Sequence, residues 1–234
     1  MMQFTFRLGL TLAALPVLLV LLALGNWQVE RLAWKTELIA KVEARIEQPA
    51  VPLPDRASLA EASDYLPVVV TGTFDHDLEI ILTGRSVEGQ GGYLVLTPLE
   101  TELQGWILVE RGFVPPQFKD TATRLDGQVG GTVTLSGLLH RPIEPGPFVP
   151  VNLPEKGDWY SVDLAEMGKA IGRDLYPMLF IVDRVATTGS RWPQAGQARI
   201  NFPNNHLGYV ITWFGLAIAL IGVWFAMSVT RRRG

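Results

Sequence analysis

Asn204-Asn205-His206-Leu207-Gly208-Tyr209-Val210-Ile211-Thr212-Trp213 joins a polar stretch of the chain to its last apolar segment. Residues 207–229, 23 in all, carry no charge, and Arg231, Arg232 and Arg233 follow at once. A helix of that length crosses a bilayer core of roughly 30 Å. If it starts near Asn205, then His206, Val210, Trp213 and Ala217 share one face at spacings of 4, 3 and 4. An imidazole then stands above a broad aromatic surface at the water–lipid boundary. This has two readings: an interfacial belt of Tyr209 and Trp213 beside a solvated histidine, or a ligand site at the membrane surface. Spacing alone favours the belt, because one histidine is weak evidence for a ligand.

The other end of the chain mirrors this. Residues 8–25 are 18 without a charge, preceded by Arg7. They read as a retained anchor rather than a cleaved signal, although Ala23 and Gly25 are small enough for a cleavage site. The helical pattern continues past Gly25 into residues 27–48, where Leu38, Ile39, Val42 and Ile46 make one apolar stripe. Pro16 is tolerable in a membrane helix. Trp27, Arg31 and Trp34 share a face. That face is either a tryptophan belt with Arg31 snorkelling to headgroups, or a docking surface for a partner or a cofactor carboxylate.

Between the spans, residues 26–205 hold all 23 acidic residues and 16 of the 20 basic ones, a net of −7 with histidine neutral. An acidic domain excludes nucleic acid as the expected partner. The arginine triplet places the C-terminus in the cytoplasm by the positive-inside rule, the N-terminus with it, and the domain on the far side. The expected location is a bacterial inner membrane with a periplasmic domain. The absence of cysteine excludes disulfides, thiolate nucleophiles and c-type haem attachment.

The domain changes period. Proline ends the first helix in the linker at residues 49–54, and residues 55–64 read as a short helical connection. Residues 66–74, 79–82, 93–97, 106–111 and 132–138 then read as short strands, with 179–185 another and 199–202 a last one. Residues 86–92 read as a flexible loop, and the proline-rich 141–154 as an ordered loop or lid. Asp163 caps a helix over 164–171 that Gly172 stops. The fold class is membrane-anchored α+β: two transmembrane helices flank a mainly antiparallel β domain, barrel- or sandwich-like. The expected boundaries are an N-terminus at 1–7, a first span at 8–26 and an extracytoplasmic domain with a helical stalk at 27–205. The second span covers 206–229 and an arginine-rich tail covers 230–234.

No hydrolase elbow or zinc helix is present. Asp75, His76, Asp77 and Glu79 cluster, but alternate strand residues face opposite sides, so a solvated turn is favoured over a metal site. His140 has no partner motif. Arg111 reads as an anion contact or, preferably, as a structural pair.

Several pieces recur together: Gly25, Trp27, Gln28, Arg31, Trp34 and Lys35; Phe74-Asp75-His76; Gly92-Tyr93 with Thr97-Pro98; and Leu108-Val109 with Arg111-Gly112-Phe113-Val114-Pro115. Phe148-Val149-Pro150 with Asn152, Trp159-Tyr160 with Asp163-Leu164, and His206-Leu207, Tyr209, Thr212-Trp213 and Gly215 complete them. In this order, over almost the whole length, they resemble the Surfeit locus protein 1 family (the Shy-type proteins), assembly factors for cytochrome c oxidase. Glu110 stands where the family pattern carries an amide, and Asn26 where it carries a small residue.

The resemblance implies a non-enzymatic factor that helps place haem a into oxidase subunit one. Its implied partners are that subunit, haem a synthase and the membrane. It also implies that His206 contacts the haem, which outweighs the spacing argument. His206 is then the axial ligand of the haem iron. Trp213 and Tyr209 are expected to form the wall beside it, Arg31 or Lys35 to meet the propionates, and Trp27 to belong to the same cofactor site. A cofactor-free membrane-anchored scaffold and a tethered hydrolase are the alternative classes.

Overall fold

A computed structural model describes residues 2–4, 6–59, 64–87, 89–183, 191–196 and 204–231. In chain order the elements are β1 (Met2–Phe4), α1 (Leu8–Ile46), β2 (Val51–Pro52), β3 (Leu66–Phe74), β4 (Ile80–Val87) and β5 (Gln90–Thr101). Then come β6 (Gly105–Val114), β7 (Thr132–His140), α2 (Leu164–Ile171), β8 (Leu179–Val182), α3 (His206–Ser228) and β9 (Val229–Arg231). The chain divides into two compact units, Met1–Lys41 with Phe202–Gly234, and Val42–Asn201.

The first unit is helical. α1 runs unbroken through Pro16 and past Gly25. Both α1 and α3 contain stretches long and apolar enough to cross a membrane. The less exposed positions of α1 recur at 11, 14, 18, 21, 25, 28, 32 and 35, and those of α3 at 206, 210, 213, 217, 220 and 224. Steps of three and four make one stripe per helix, so the two stripes form a seam. The chain ends also meet, since β1 pairs antiparallel with β9.

The second unit is a barrel. β3, β7, β8, β6 and β5 follow one another in hydrogen-bonded order, and β5 returns to β3, closing five strands. β2 and β4 extend the sheet at its two ends. Pairings are antiparallel except β6 with β8 and β2 with β3. Closure removes the free edges that would otherwise template aggregation. One core cluster draws on all five barrel strands, including Val68, Leu99, Val109, Leu139 and Phe180, all buried. A second lies on the opposite strand faces, where Leu82, Leu96 and Leu108 meet Trp159 and Met167 of α2. α2 is bounded as its sequence requires. The Asp163 carboxylate accepts from Glu166 N at 2.9 Å, and Gly172 turns left-handed at φ 69°.

Three expectations change. The flexible loop at 86–92 is instead the end of a hairpin, paired out to Val87 and Gln90. Gly92 is there for close approach, because a Cβ would lie 2.4 Å from Val114 O. The strand expected at 79–82 extends to Val87, and the helical connection at 55–64 is a single 3₁₀ turn at Arg56–Ser58 within its described part. The strand expected at 199–202 lies outside the described residues.

Gly72 stands where the barrel closes, opposite Thr101. A Cβ there would meet Glu100 O at 2.3 Å, which no side chain shift relieves. Gly72→Val is therefore expected to destabilise the domain by about 3 kcal/mol, as overpacking against backbone does. Chemical denaturation of the purified protein measures this, and an unchanged midpoint would contradict closure at β3–β5.

Candidate functional site

The helical unit holds the residues expected at a site, and it separates them. α1 and α3 run antiparallel through four contacts. Trp224 Nε1 donates to Thr11 Oγ1 at 3.1 Å, and Asn204 Nδ2 donates to Thr36 Oγ1 at 3.4 Å. Gly25 faces the Phe214 ring, which a Cβ would meet at 3.0 Å. His206 Nδ1 lies 2.7 Å from Gln28 Oε1. Small residues at the crossing, Gly25 and buried Ala217, let the backbones approach, as membrane helices require.

His206 and Trp213 lie on the seam face of α3. His206 is half-buried, and the Trp213 Nε1 is buried with no hydrogen-bond partner among the described residues. Tyr209, Trp27 and Arg31 face outward. The Arg31 guanidinium stands over Trp34 at 5.1 Å and over Trp27 at 6.0 Å, within reach of both ring faces. Arg31 is thus held on an aromatic ledge one turn beyond Gln28, while its charge stays exposed.

The decisive contact is to Gln28, which sequence reasoning did not place in the site. An amide oxygen only accepts, so His206 Nδ1 carries the proton and donates. In the neutral ring this selects the Nδ1–H tautomer, with the lone pair on Nε2. Gln28 is 8% exposed, so its carbonyl is a fixed acceptor. A signal for it existed: a neutral amide beside Trp27, on a stripe that runs through Leu18, Leu21, Gly25 and Leu32.

The second cluster, around residues 74–79, holds the expected turn, a 3₁₀ turn at His76–Leu78 with Asp77 exposed. Glu79 beyond it, however, enters a buried ionic network. Glu79 receives Arg124 through a short hydrogen bond to Oε1 and a 3.0 Å bond to Oε2, and Thr121 Oγ1 donates to it at 3.1 Å. Arg124 is 1% exposed and also donates from Nε to Phe118 O. Arg111 adds a second guanidinium 4.0 Å from Glu79, bonded to Gly127 O and stacked over Phe74 at 5.0 Å. His76 donates from Nε2 to Val129 O and faces Arg111 with Nδ1. Burial, then the Arg111 charge, holds the imidazole below its usual pKa, and burial lowers Arg111 to about 10. Among the described residues no three His, Asp or Glu side chains are placed to hold a metal. The network ties the segment Thr121–Gly127 to the barrel.

Together these features define a membrane-anchored α+β protein, a five-stranded barrel with two terminal membrane helices whose seam orients one histidine. The SURF1 family matches residues 15–218. The chain is 38% identical to Surfeit locus protein 1 of Rattus norvegicus over 226 residues, covering 90% of this chain and 73% of that one. It is 38% identical to Surfeit locus protein 1 of Homo sapiens over 218 residues, at 86% and 72% coverage. It is 35% identical to a SURF1-like protein of Monosiga brevicollis over 237 residues, at 97% and 89%. The chain belongs to the SURF1 family.

Two outcomes are expected. Arg124→Met leaves Glu79 buried without its main partner and costs about 3–5 kcal/mol of domain stability, read from denaturant midpoints. In the seam, a Thr36→Cys/Asn204→Cys pair in this cysteine-free chain should oxidise readily. Adding Gly25→Leu should reduce crosslinking several-fold by parting the helices, and unchanged crosslinking would mean that the crossing does not depend on Gly25.

Proposed function

We propose that this chain is a non-enzymatic assembly factor for cytochrome c oxidase that assists delivery of haem a to subunit one. Membership of the SURF1 family supports the general role. One observation carries the finer reading: the hydrogen bond from His206 Nδ1 to Gln28, which leaves Nε2 free to ligate. Neutral imidazole is a standard axial ligand, and a second partner on the other ring nitrogen raises its basicity and fixes its orientation.

When bound, haem a supplies an iron that accepts such an imidazole. The rest of the work falls to this chain. Gln28 holds the tautomer. Arg31, charged and exposed on its tryptophan ledge, offers a guanidinium fork to propionates. Tyr209 and Trp27 present exposed ring faces, and Trp213 lies two turns from His206 on the same stripe. A single protein ligand suits a cargo that must be released. The partners in this reading are the membrane, oxidase subunit one and haem a synthase. Both termini lie in the cytoplasm and the barrel in the periplasm of a bacterial inner membrane, following the arginine triplet 231–233.

Co-expression with haem a synthesis, purification and an absorption spectrum test this. Wild type should carry haem a. His206→Ala should lose it or shift its spectrum while still inserting. Gln28→Leu should lower occupancy about tenfold or more, the usual cost of removing such a partner. Arg31→Ala should lower affinity without altering the axial signature, and Trp213→Ala should weaken binding less than His206→Ala. An unaltered spectrum and full oxidase assembly with His206→Ala would remove the ligand role and leave a scaffold.

A further inference from the structure

A cleft of about 380 Å³ opens on the outer face of the barrel, beneath the proline-rich segment at 142–149. Leu82, Leu94, Leu179 and Val149 give it apolar walls. Its volume lies within the range of small-molecule sites. Two polar side chains on different strands reach into it, and each stands beside a β-bulge. On β4 the register slips between Leu82 and Arg85, where Gly84 takes φ 76°, so Arg85 falls opposite Gly92. On β6 the slip leaves Arg111 unpaired between Glu110, opposite Leu96, and Gly112, opposite Val95. Bulges re-aim side chains and recur beside binding sites. Here two of them present an arginine and a glutamate to one cleft.

Neither group is satisfied. Glu110 is 7% exposed, and its carboxylate has no hydrogen-bond partner among the described residues. Arg85 donates from Nη2 to Tyr160 O at 3.4 Å, but its Nε is buried without an acceptor. Buried polar groups are normally paired, so a carboxylate without a hydrogen-bond partner, lining the same cleft as a guanidinium, calls for a ligand. His140 also lines the cleft, but its Nδ1 is taken by Asp64 at 3.0 Å. Burial pushes the Glu110 carboxyl up to about 7, with the Arg85 charge acting against it.

We propose that this cleft binds a small, neutral, apolar molecule carrying a carboxamide, whose N–H donates to Glu110 and whose C=O accepts from the Arg85 guanidinium. The charge balance selects that chemistry. Glu110 and Arg85 already offset each other, so a charged ligand would bury an unpaired charge. An amide brings one donor and one acceptor and no charge. The site lies wholly in the barrel unit and is independent of His206.

The test uses the full chain in lipid nanodiscs and three probes of one shape: 4-fluorobenzamide, 4-fluorobenzoate and 4-fluorobenzylamine. Fluorine line broadening is read against empty nanodiscs at pH 7.5. The amide should bind at least tenfold more tightly than either charged probe. Glu110→Leu and Arg85→Met should each weaken it about tenfold or more. Val149→Trp, which fills the cleft without touching either polar group, should abolish binding and keeps the test valid if Glu110→Leu misfolds. Equal binding of all three probes, amide binding that survives Glu110→Leu in folded protein, or no amide binding by wild type would overturn the proposal.

Discussion

A membrane offers polar side chains no water, and this constraint governs the helical unit. A donor or acceptor carried into the seam is best placed where the facing helix or its own backbone offers a partner, and among the described residues Trp213 Nε1 is an exception. Thr11 meets Trp224 and Gln28 meets His206, while Thr212, on the outward face, bonds back to Gly208. These bonds also set register, because antiparallel helices with stripes of Leu, Ala and Val would slide at little cost. Close approach at Gly25 is what brings them within range. The histidine is therefore oriented by the same contacts that hold the helices together, and its tautomer follows from helix packing.

The barrel handles its polar residues by the opposite means. It buries charge deliberately, then surrounds it. Glu79 carries two guanidiniums, and Arg124 exhausts most of its donors on Glu79, Thr121 and the carbonyls of Phe118 and Lys119. Removing one member is costly, whereas the complete set contributes modest net stability. What the network specifies is geometry. It anchors a helical turn with an internal break at Arg124, a residue at φ −145°, which no apolar contact would hold in place.

Much of this was legible in the sequence because it is local. The stripe through His206, Val210, Trp213 and Ala217 follows from helix geometry. The α2 boundaries follow from Asp163 and Gly172, and most strands from period two. Barrel closure was not legible, since β3 must meet β5 across a register that only Gly72 permits. Nothing in the sequence around Arg124 marks it as buried, because its burial depends on Glu79, 45 residues away. Gly91 and Gly92 read as a flexible loop because composition does not distinguish a glycine that bends the chain from one that lets two strands touch. Gln28 was quoted for its neighbours but not for its carbonyl, since its role exists only when α3 lies beside it.

The bulges make the same point about function. Arg85 and Glu110 are 25 positions apart in sequence, and nothing in their spacing joins them. In a regular ladder, period two would fix which face each occupies. One extra residue in each strand overrides that alternation and frees the next side chain from the ladder's parity. Glu110 and Arg111 still turn to different surroundings, Glu110 into the cleft and Arg111 into the ionic network, as adjacent strand residues do. A single strand thus supplies a structural charge and an unsatisfied carboxyl at adjacent positions. Glu110 lies at the margin of the outer core, with Leu82 and Leu179 among the cleft's walls, and no hydrogen bond within the described fold offsets its desolvation. A carboxyl kept there at the expense of stability is better explained by what it receives than by what it supports.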